Sequence, residues 1–451
     1  MRKVESEISN RKSEITPGTV PQLLSRIDDF DRRIQSTGMA QYIAMAADVG
    51  LPATIRKTDY TDFAPRFGFA WRPFGKAGSV LRGGYGLFYG SSSLYRMDEY
   101  SDTYPFSINE TYSAVAANPL ALTMSDPFPA ARRTVGGVTS TSGQDANIQS
   151  QYLQSWSLTA EHEFAKDAVL EIAYAGSKGT HLQRRFDLNQ QRRDLAVRAA
   201  TGAFPRPYPA FSTINVIADG SNSIYNSGSL TLRRRFHRQL FLRATYTFSK
   251  SIDESSNTGG TVQYNFGNAQ DAYNLRAERG RSDFDIGHAF AASFIWSPAL
   301  SRRGALRNWQ LAGTGTMYTG QPFTPKIANF NFANGEASRP DRASKGALLS
   351  PTVDQWFDRT AFPVVPAGAF RFGNSGRNIL DGPGMFNLNA SLSRRFKFEH
   401  QRALQLRVEL FNLPNHPNFN LPENRIDIVS GGTISRVKSN RTVQMGMRFE
   451  F

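Results

Sequence analysis

The sequence predicts an all-β fold, an antiparallel up-and-down transmembrane β-barrel, of which this chain is an incomplete C-terminal portion of about eleven strands with long extracellular loops. Three observations predict it. Apolar and polar residues alternate along segments close to the roughly 9–11 residues that a tilted strand needs to cross a bilayer. Short connections alternate with long ones along the chain. The segment 442–451 keeps the alternation to its final residue.

The alternating segments form five hairpins and one last strand. The hairpins lie within residues 63–89, 155–174, 229–249, 290–317 and 386–410. The short connections lie near Pro73, Lys166, Arg238, Pro298 and Lys397, and the long ones cover 90–151, 176–228, 250–282, 319–385 and 412–441. A β-sandwich would mix its loop lengths, and a propeller would repeat one blade motif. The regular alternation therefore favours a barrel.

The composition excludes several classes of protein. Hydrophobic residues make up 40% and aromatic residues 12% of the 451 positions, which excludes a disordered chain. Mean hydropathy is −0.43, and no run approaches the roughly 18 apolar residues of a spanning helix. Cysteine is absent, which excludes disulfides, thiolate metal sites and cysteine nucleophiles.

The net charge of +15 is spread through the strands instead of being gathered in a run that tracks phosphates, so no nucleic-acid partner is predicted. The arginines of the strands fall on the polar side of the alternation and are candidates to face the lumen: Arg66, Arg82, Arg233, Arg235, Arg243, Arg395, Arg407 and Arg448. Two interpretations stay open. The arginines make the lumen electropositive, or they pair with carboxylates such as Glu163, Glu171, Glu409 and Glu450.

Two arginines, Arg234 and Arg394, fall on the apolar side. Both lie within a few residues of a short turn, where a long side chain can snorkel to the headgroups. A charge facing lipid at mid-bilayer costs roughly 2–4 kcal/mol, so a position near the turn is expected.

The final strand ends on an aromatic residue. One of its faces carries Val443, Met445, Met447, Phe449 and Phe451. Bacterial outer-membrane barrels end in strands of this kind, which their assembly machinery reads. We therefore expect this strand to be the contact with the barrel-assembly machinery.

Residues 1–60 form a poorly defined N-terminal segment, and residues 61–451 are predicted to be barrel. The first residues are polar and lack the apolar region of a secretory signal, so export is expected to require upstream sequence. With an odd number of strands, the outermost two run in the same direction and cannot close an antiparallel barrel. An incomplete, curved half-barrel with two open edges is therefore predicted, as are further strands encoded upstream.

Few residues suggest chemistry. The histidines never form the i, i+4 pair of a zinc helix, and no cofactor, metal site, catalytic group or enzymatic activity is predicted. Asp283 and Asp285 are placed on one strand face. They are read as an acid–base pair, a Ca²⁺ site or, preferably, rim carboxylates paired with Arg279 and Arg281. Together with Tyr264 and Phe266, the two aspartates are the candidate ligand-contacting residues of the extracellular loops.

Five segments resemble the barrel region of TonB-dependent outer-membrane receptors, specifically the Oar-like group abundant in acidobacteria. They are DFAPRFGFAWRP (62–73), LRGGYGLFY (81–89), YAGSKGTHL (174–182), DFDIGH (283–288) and ELFNLPNHPNF (409–419). The resemblance runs from about residue 42 to residue 451. It implies a large barrel of about 22 strands with an N-terminal plug and a regulatory-like domain.

The resemblance further implies an outer-membrane location, contact with membrane lipid and energy-coupled uptake of a substrate such as an oligosaccharide, peptide or metal chelate. It implies that contact with the TonB complex is made only through N-terminal regions outside this chain. The alternative is a secreted or surface-exposed soluble β-rich binding or structural protein.

Overall fold

The computed structural model describes most of the chain from residue 40 onward. The described residues are 40–42, 44, 46–52, 59–73, 75, 78–90, 110–112, 133–135, 139–191, 206–236, 239–256, 269–298, 307–328, 338–366, 371–398 and 402–451. The chain divides into two compact units. The first comprises Met1–Thr58, Ser92–Ile148 and Arg206–Val216, and the second comprises Asp59–Ser91, Gln149–Pro205 and Ile217–Phe451.

Strands dominate the described residues. They are β1 (Arg66–Trp71), β2 (Ser79–Gly90), β3 (Glu110–Tyr112), β4 (Arg133–Val135), β5 (Thr139–Gln144), β6 (Gln151–Ala165), β7 (Ala168–Asp187), β8 (Phe211–Phe236), β9 (Leu240–Asp253), β10 (Gly280–Arg281), β11 (His288–Trp296), β12 (Trp309–Tyr318), β13 (Pro322–Phe323), β14 (Leu380–Asp381), β15 (Met385–Lys397), β16 (Ala403–Phe411) and β17 (Thr442–Glu450). Short 3-10 helices occupy Ala40–Tyr42, Ala46–Val49, Leu275–Glu278 and Arg359–Ala361. In the described part of the chain, no helix has the length and apolar character needed to cross a membrane.

One 13-stranded antiparallel sheet organises the fold. Its main path holds eleven strands in the order β1-β2-β6-β7-β8-β9-β11-β12-β15-β16-β17, with β10 beside β9 and β5 beside β8. Each path strand thus pairs with the next path strand in the chain, which confirms the up-and-down all-β prediction. Among the described residues β1 and β17 do not pair, so the sheet keeps two open edges and the barrel is not closed.

The register separates the sheet into an apolar face and a polar face. On the apolar face one row crosses six strands through Leu240, Trp296, Leu311, Leu392, Val408 and Met445. On the polar face another row runs through Arg243, Ser293, Thr314 and Asn389. The apolar face is exposed: Phe67 is 67% exposed and Met445 is 78% exposed. These side chains therefore point away from any protein core, as lipid-facing residues do.

Two strands are longer than the sequence predicts. β7 has 20 residues and β8 has 26, so much of the predicted long connection 176–228 is strand and that prediction is wrong. At about 3.3 Å per residue, the 20 residues of β7 span about 66 Å, far beyond a lipid band of about 25 Å. The part of a strand outside the lipid band contacts no lipid and needs no apolar side chain at alternate positions. Backbone pairing between strands therefore continues there without apolar–polar alternation in the sequence. The connections 319–385 and 412–441 are confirmed, since β12 ends at Tyr318, β15 begins at Met385 and β17 follows β16 after Phe411.

A hydrophobic core lies in these connections. We call the described residues of 269–285, 319–384 and 412–441 the loop cap. Its core consists of Phe323, Ile327, Phe357, Ala361, Phe362, Leu380 and Ile426, with Trp356 and Ile379 packed against it. Phe357 and Phe362 are each 1% exposed, and their rings meet edge to face at 6.0 Å. The cap is therefore packed like a small soluble domain.

Candidate functional site

The eight arginines predicted to face the lumen all lie on the polar face. Arg82 shares a row with Ala70 and Thr159, and Arg66 shares one with Gly86. Further along the sheet, Arg233 pairs with Arg243, Arg235 with Phe241, Arg395 with Gln405 and then Arg448, and Arg407 with Gly446. The assignment of this face to a lumen remains a prediction.

Two of these arginines, Arg82 and Arg233, form one ion-pair network with two glutamates, Glu161 and Glu171. Arg233 Nη2 lies 2.9 Å from Glu161 Oε2 and 3.5 Å from Glu171 Oε2. Arg82 Nη1 lies 3.6 Å from the same Glu161 oxygen. The network joins β2, β6, β7 and β8 across the polar face. Two arginines thus share two carboxylates, and much of their charge is neutralised locally.

A second group of ion pairs lies near the C-terminal edge of the sheet. Glu450 accepts a hydrogen bond from Arg395, and its Oε1 lies 3.4 Å from Arg448 Nε. Arg407 Nη1 lies 3.5 Å from Glu409 Oε1. Five of the eight arginines therefore have a carboxylate partner, as the pairing interpretation expects.

The other three polar-face arginines differ. Arg66 stacks over the ring of Phe88 at 4.3 Å. For Arg66, Arg235 and Arg243 no ion pair occurs among the described residues. Glu163, an expected partner, instead accepts a hydrogen bond from the backbone N–H of Asp167 at 3.2 Å in the short turn. These three arginines are polar-face cations without a carboxylate partner among the described residues.

The two arginines of the apolar face lie beside aromatic rings. The Arg234 guanidinium is 4.2 Å from the centre of the Phe236 ring. The Arg394 guanidinium is 4.4 Å from the Phe396 ring centre and 5.4 Å from that of Trp309. Both arginines therefore lie on the apolar face, next to aromatic side chains and close to a short turn.

The residues predicted to contact the assembly machinery lie on the outermost strand of the sheet. β17 pairs with β16 through Val443–Leu410, Met445–Val408, Met447–Leu406 and Phe449–Leu404. All four β17 residues are more than half exposed, and Phe451 stacks on Phe449 with ring centres 6.1 Å apart. Contact of this strand with the assembly machinery remains a prediction.

The candidate ligand-contacting aspartates of the loops do not lie where the sequence predicts. Asp283 and Asp285 lie in a turn closed by the Asp285 N–H donating to Ser282 O at 2.9 Å, not on a strand face. The DFDIGH motif alternates like a strand, but the Asp283 N–H donates to the Ser256 side chain instead of to a strand backbone. Asp285 is 5% exposed and accepts from the Ser251 N–H at 2.6 Å. Tyr264 and Phe266 lie outside the described residues.

The partners predicted for Asp283 are also wrong. Its Oδ1 accepts from Asn378 Nδ2 at 2.6 Å and lies 3.6 Å from Arg377 Nη1. Arg281 pairs instead with Asp381 at 2.7 Å. The actual partners are about one hundred residues away along the chain, where a local pattern cannot find them.

Sequence reasoning missed a buried polar cluster at the loop end of the sheet, made of Asp253, Gln270, Glu278, Arg339 and Arg377. The Arg339 and Glu278 side chains, 5% and 4% exposed, form an ion pair of 2.7 Å. Arg377 pairs with Asp253, and their side chains are 11% and 3% exposed. Gln270 bridges the first pair, since its Oε1 accepts from the Arg339 backbone N–H and its backbone N–H donates to Glu278 Oε1. Arg377 Nε donates to the Glu278 carbonyl oxygen at 2.8 Å and so links the two pairs. The cluster thus ties the loop cap to β9.

Arg184 on the protruding part of β7 is 1% exposed. Its three guanidinium nitrogens are buried, and within the described part of the chain they have no hydrogen-bond partner. Burial lowers the pKa of Arg184, and the carboxylates of Glu278 and Glu254 oppose that shift. Among the described residues, no group of three or more His, Cys, Asp or Glu side chains could hold a metal ion. The loop end therefore holds a buried guanidinium without a described hydrogen-bond partner as well as the ion-paired cluster.

Comparison with known proteins gives one matching family and several similar solved structures. The family model described as "Outer membrane beta barrel domain" matches residues 15–444. Similar solved structures include the outer membrane transporter YddB from Escherichia coli, with 12% identity, a TM-score of 0.45 and coverage of 85% of this chain and 40% of YddB. The siderophore receptor PirA from Pseudomonas aeruginosa has 11% identity, a TM-score of 0.37 and coverage of 85% and 41%. The FrpB iron transporter from Neisseria meningitidis has 10% identity, a TM-score of 0.41 and coverage of 85% and 38%.

No curated protein matches the chain. The chain spans about two fifths of the length of these solved structures. The family model covers far more than half of the chain, and the exposed apolar face of the sheet agrees with it. The chain therefore belongs to the family of outer membrane beta barrel domains, and the outer membrane is its location.

Proposed function

We propose that this chain is part of the barrel of a TonB-dependent outer-membrane receptor that takes up its substrate with energy from the TonB complex. One observation carries the proposal: an exposed apolar face and an ion-paired polar face on the same eleven-strand path. Such a sheet separates lipid from a polar interior, which a transporter needs. The five receptor-like sequence segments support the receptor group. Contact with the TonB complex is assigned to N-terminal regions of the complete receptor.

The substrate class stays broad: an oligosaccharide, a peptide or a metal chelate. The polar face supports passage of polar molecules, since its charges are largely paired and leave a mixed surface. The remaining cations, Arg66, Arg235 and Arg243, favour an anionic group on the substrate or on a plug docked in the lumen. An exposed apolar face would be unstable in water, which disfavours the soluble binding-protein alternative.

Energised uptake by whole cells tests the proposal. Cells producing the complete receptor receive labelled oligosaccharides, peptides and ferric chelates, with and without a functional TonB complex. We expect one class to accumulate only with the complex present. Uptake of every class without the complex, or of none with it, would contradict the proposal. Binding libraries of carbohydrates and chelates, applied to the intact receptor, identify the ligand.

Two matched variants test the polar face. Arg243→Gln removes a cation that has no ion pair with any described residue, whereas Arg407→Gln removes one paired with Glu409. For an anionic substrate we expect a larger loss of binding with Arg243→Gln. If a neutral oligosaccharide is bound and neither variant changes its affinity, the electrostatic part of the proposal fails.

No enzymatic role is proposed. Asp283 Oδ1 contacts Asn378 and Arg377, and Asp285 Oδ1 accepts from the Ser251 N–H, contacts that hold the turn to its neighbours. A turnover that Asp283→Asn abolished in the purified protein would overturn this statement.

A further inference from the structure

Arg184 is a buried cation on the protruding part of β7. Its side chain is 1% exposed. All three guanidinium nitrogens are buried, and none has a hydrogen-bond partner among the described residues. Burying an ionised group in this way is costly, because the group has lost its hydration and has gained no hydrogen bond in return. The N–H donors of Arg184 therefore call for an acceptor that the described residues do not supply.

Two carboxylates act on Arg184 through their charge but are bonded to other groups. Burial lowers the pKa of Arg184, and the charges of Glu278 and Glu254 oppose that shift. The Glu278 carboxylate pairs with Arg339 at 2.7 Å, so its charge is offset. Glu254 is half-buried, and its Oε2 accepts from the backbone N–H of Asn222 at 2.9 Å. Neither carboxylate takes a hydrogen bond from Arg184, so most of the charge of the guanidinium remains uncompensated at close range.

The position of Arg184 along β7 puts it beyond the lipid band, at the loop end of the sheet. It follows Ala168, the first residue of β7, by a stretch of about 53 Å, or about 37 Å across the membrane at a tilt of about 45°. A lipid band is about 25 Å thick. Just after β7, Gln190 Nε2 donates to Gln270 O at 3.0 Å, and Gln190 Oε1 accepts from the Ala272 N–H at 2.5 Å. Arg184 thus lies close to the contact between β7 and the loop cap, on the side that aqueous ions reach.

We propose that Arg184 forms, next to this contact, an enclosed binding site for one small oxyanion of the size of inorganic phosphate. The planar guanidinium donates two parallel hydrogen bonds to two oxygens of such an anion. The charge of the anion offsets that of the cation, and burial strengthens their attraction. Because the guanidinium is 1% exposed, the site takes a free ion and not the anionic group of a large molecule. The bound ion stabilises the contact between β7 and the loop cap, whatever substrate the receptor carries.

Amide hydrogen exchange of the complete receptor, extracted from outer membranes in a neutral detergent, tests the site. Exchange across residues 181–190 and 269–278 is measured in inorganic phosphate and in sodium chloride of equal ionic strength. A ligand that binds only the closed state lowers the population of the open state in proportion to its occupancy. We expect exchange to slow about tenfold when phosphate is present at about ten times its dissociation constant.

Three variants separate the guanidinium from other effects of phosphate. Arg184→Met removes the charge and keeps much of the length of the side chain. We expect its exchange in chloride to be no faster than that of the unchanged protein, and phosphate to slow it no further. Arg184→Lys, which keeps the charge without the planar fork, should respond more weakly than the unchanged protein. Arg279→Gln removes an exposed arginine of the loop cap and should keep the full response.

Four outcomes would overturn the site. Exchange of the unchanged protein that phosphate does not slow shows that the donors of Arg184 need no anion. Equal slowing in Arg184→Met shows a general effect of phosphate on stability. Loss of the response in Arg279→Gln shows that phosphate acts on the surface of the cap. An equal response to glycerol 3-phosphate, which carries the anion on a larger molecule, shows that the site is not enclosed. If Arg184→Met does not fold, Arg184→Lys decides, and a response equal to that of the unchanged protein rejects the proposal.

Discussion

The sheet and the loop cap place their apolar residues in opposite ways. In the sheet, Phe67 and Met447 are 67% and 75% exposed. In the cap, Phe357 and Phe362 are each 1% exposed. The cap gains stability by removing apolar surface from water within the protein. The sheet gains it only where lipid covers its outer face. The apolar residues of the cap thus avoid water, whereas those of the sheet face lipid. The effect of a substitution on stability therefore depends on the region in which it lies.

The strongest test of this contrast removes one core ring of the cap. Phe362→Ala leaves a cavity beside Phe357 and should destabilise the cap by about 3–5 kcal/mol. Amide hydrogen exchange across residues 341–366 measures the loss. The matched variant Phe449→Ala removes a ring of similar size from the apolar face, where acyl chains fill the space. Equal changes in the two variants would contradict this contrast between the cap and the sheet.

The buried ion pairs offer a second test within the cap. Arg339→Met leaves the Glu278 carboxylate buried without its cation and should cost about 3–5 kcal/mol. The double variant Arg339→Met/Glu278→Leu should recover most of that loss, because no unpaired charge remains. Protease resistance of the loop cap reports both. A double variant less stable than Arg339→Met alone would show that the pair matters through its wider network with Gln270.

A third test exchanges the two faces of one strand. Met445→Arg places a charge on the apolar face and should cost about 2–4 kcal/mol if the residue lies near mid-bilayer. Gln444→Arg, one residue earlier, places the same charge on the polar face beside Glu409 and should cost much less. Urea titration of the folded protein in lipid vesicles measures both. Similar losses for the two variants would reject the assignment of the faces.

The parts of the fold that the sequence predicts are those set by local alternation. Phe67, Phe69 and Trp71 alternate with Arg66, Gly68 and Ala70, and a period of two places each set on one face of β1. The same rule found the eleven strands of the path and their up-and-down order. Within the lipid band the alternation is required, because a polar or charged side chain on the outer face would contact hydrocarbon.

The parts that the sequence did not predict lie outside the lipid band, where alternation is not required. β7 and β8 continue beyond the lipid band, where residues such as Ser221 and Ser223 show no apolar alternation. The pairs Arg339–Glu278 and Arg377–Asp253 join residues 61 and 124 positions apart. Their partners are selected by packing of the loop cap. The sequence therefore predicted the arginines of the polar face, which follow the alternation, and did not predict the buried polar cluster of the cap.

The smallest expected effect concerns an ion pair at the rim of the cap. Both carboxylate oxygens of Asp341 accept hydrogen bonds from Arg371, at 2.7 and 2.5 Å, and Oδ1 also accepts from the Asn374 N–H at 3.2 Å. The Arg371 contact holds the pKa of Asp341 below its ordinary value of 3.8, although burial opposes the shift. A carboxyl whose pKa is lowered by folding stabilises the fold above its unfolded pKa. That contribution is lost as pH falls below about 4 through the folded pKa.

Acid should therefore loosen the rim without opening the core. We expect hydrogen exchange near residues 341–344 and 371–374 to quicken as pH falls below about 4, after correction for the intrinsic rate. Asp341→Asn should show the looser rim already at pH 7 and no further change in acid. The effect should stay well below that of Arg339→Met, because the Asp341–Arg371 pair is partly exposed and screened by solvent. If the core around Phe357 opened over the same pH range, the rim pair would be holding the cap closed, and the cap would depend on its surface charges as well as on its apolar packing.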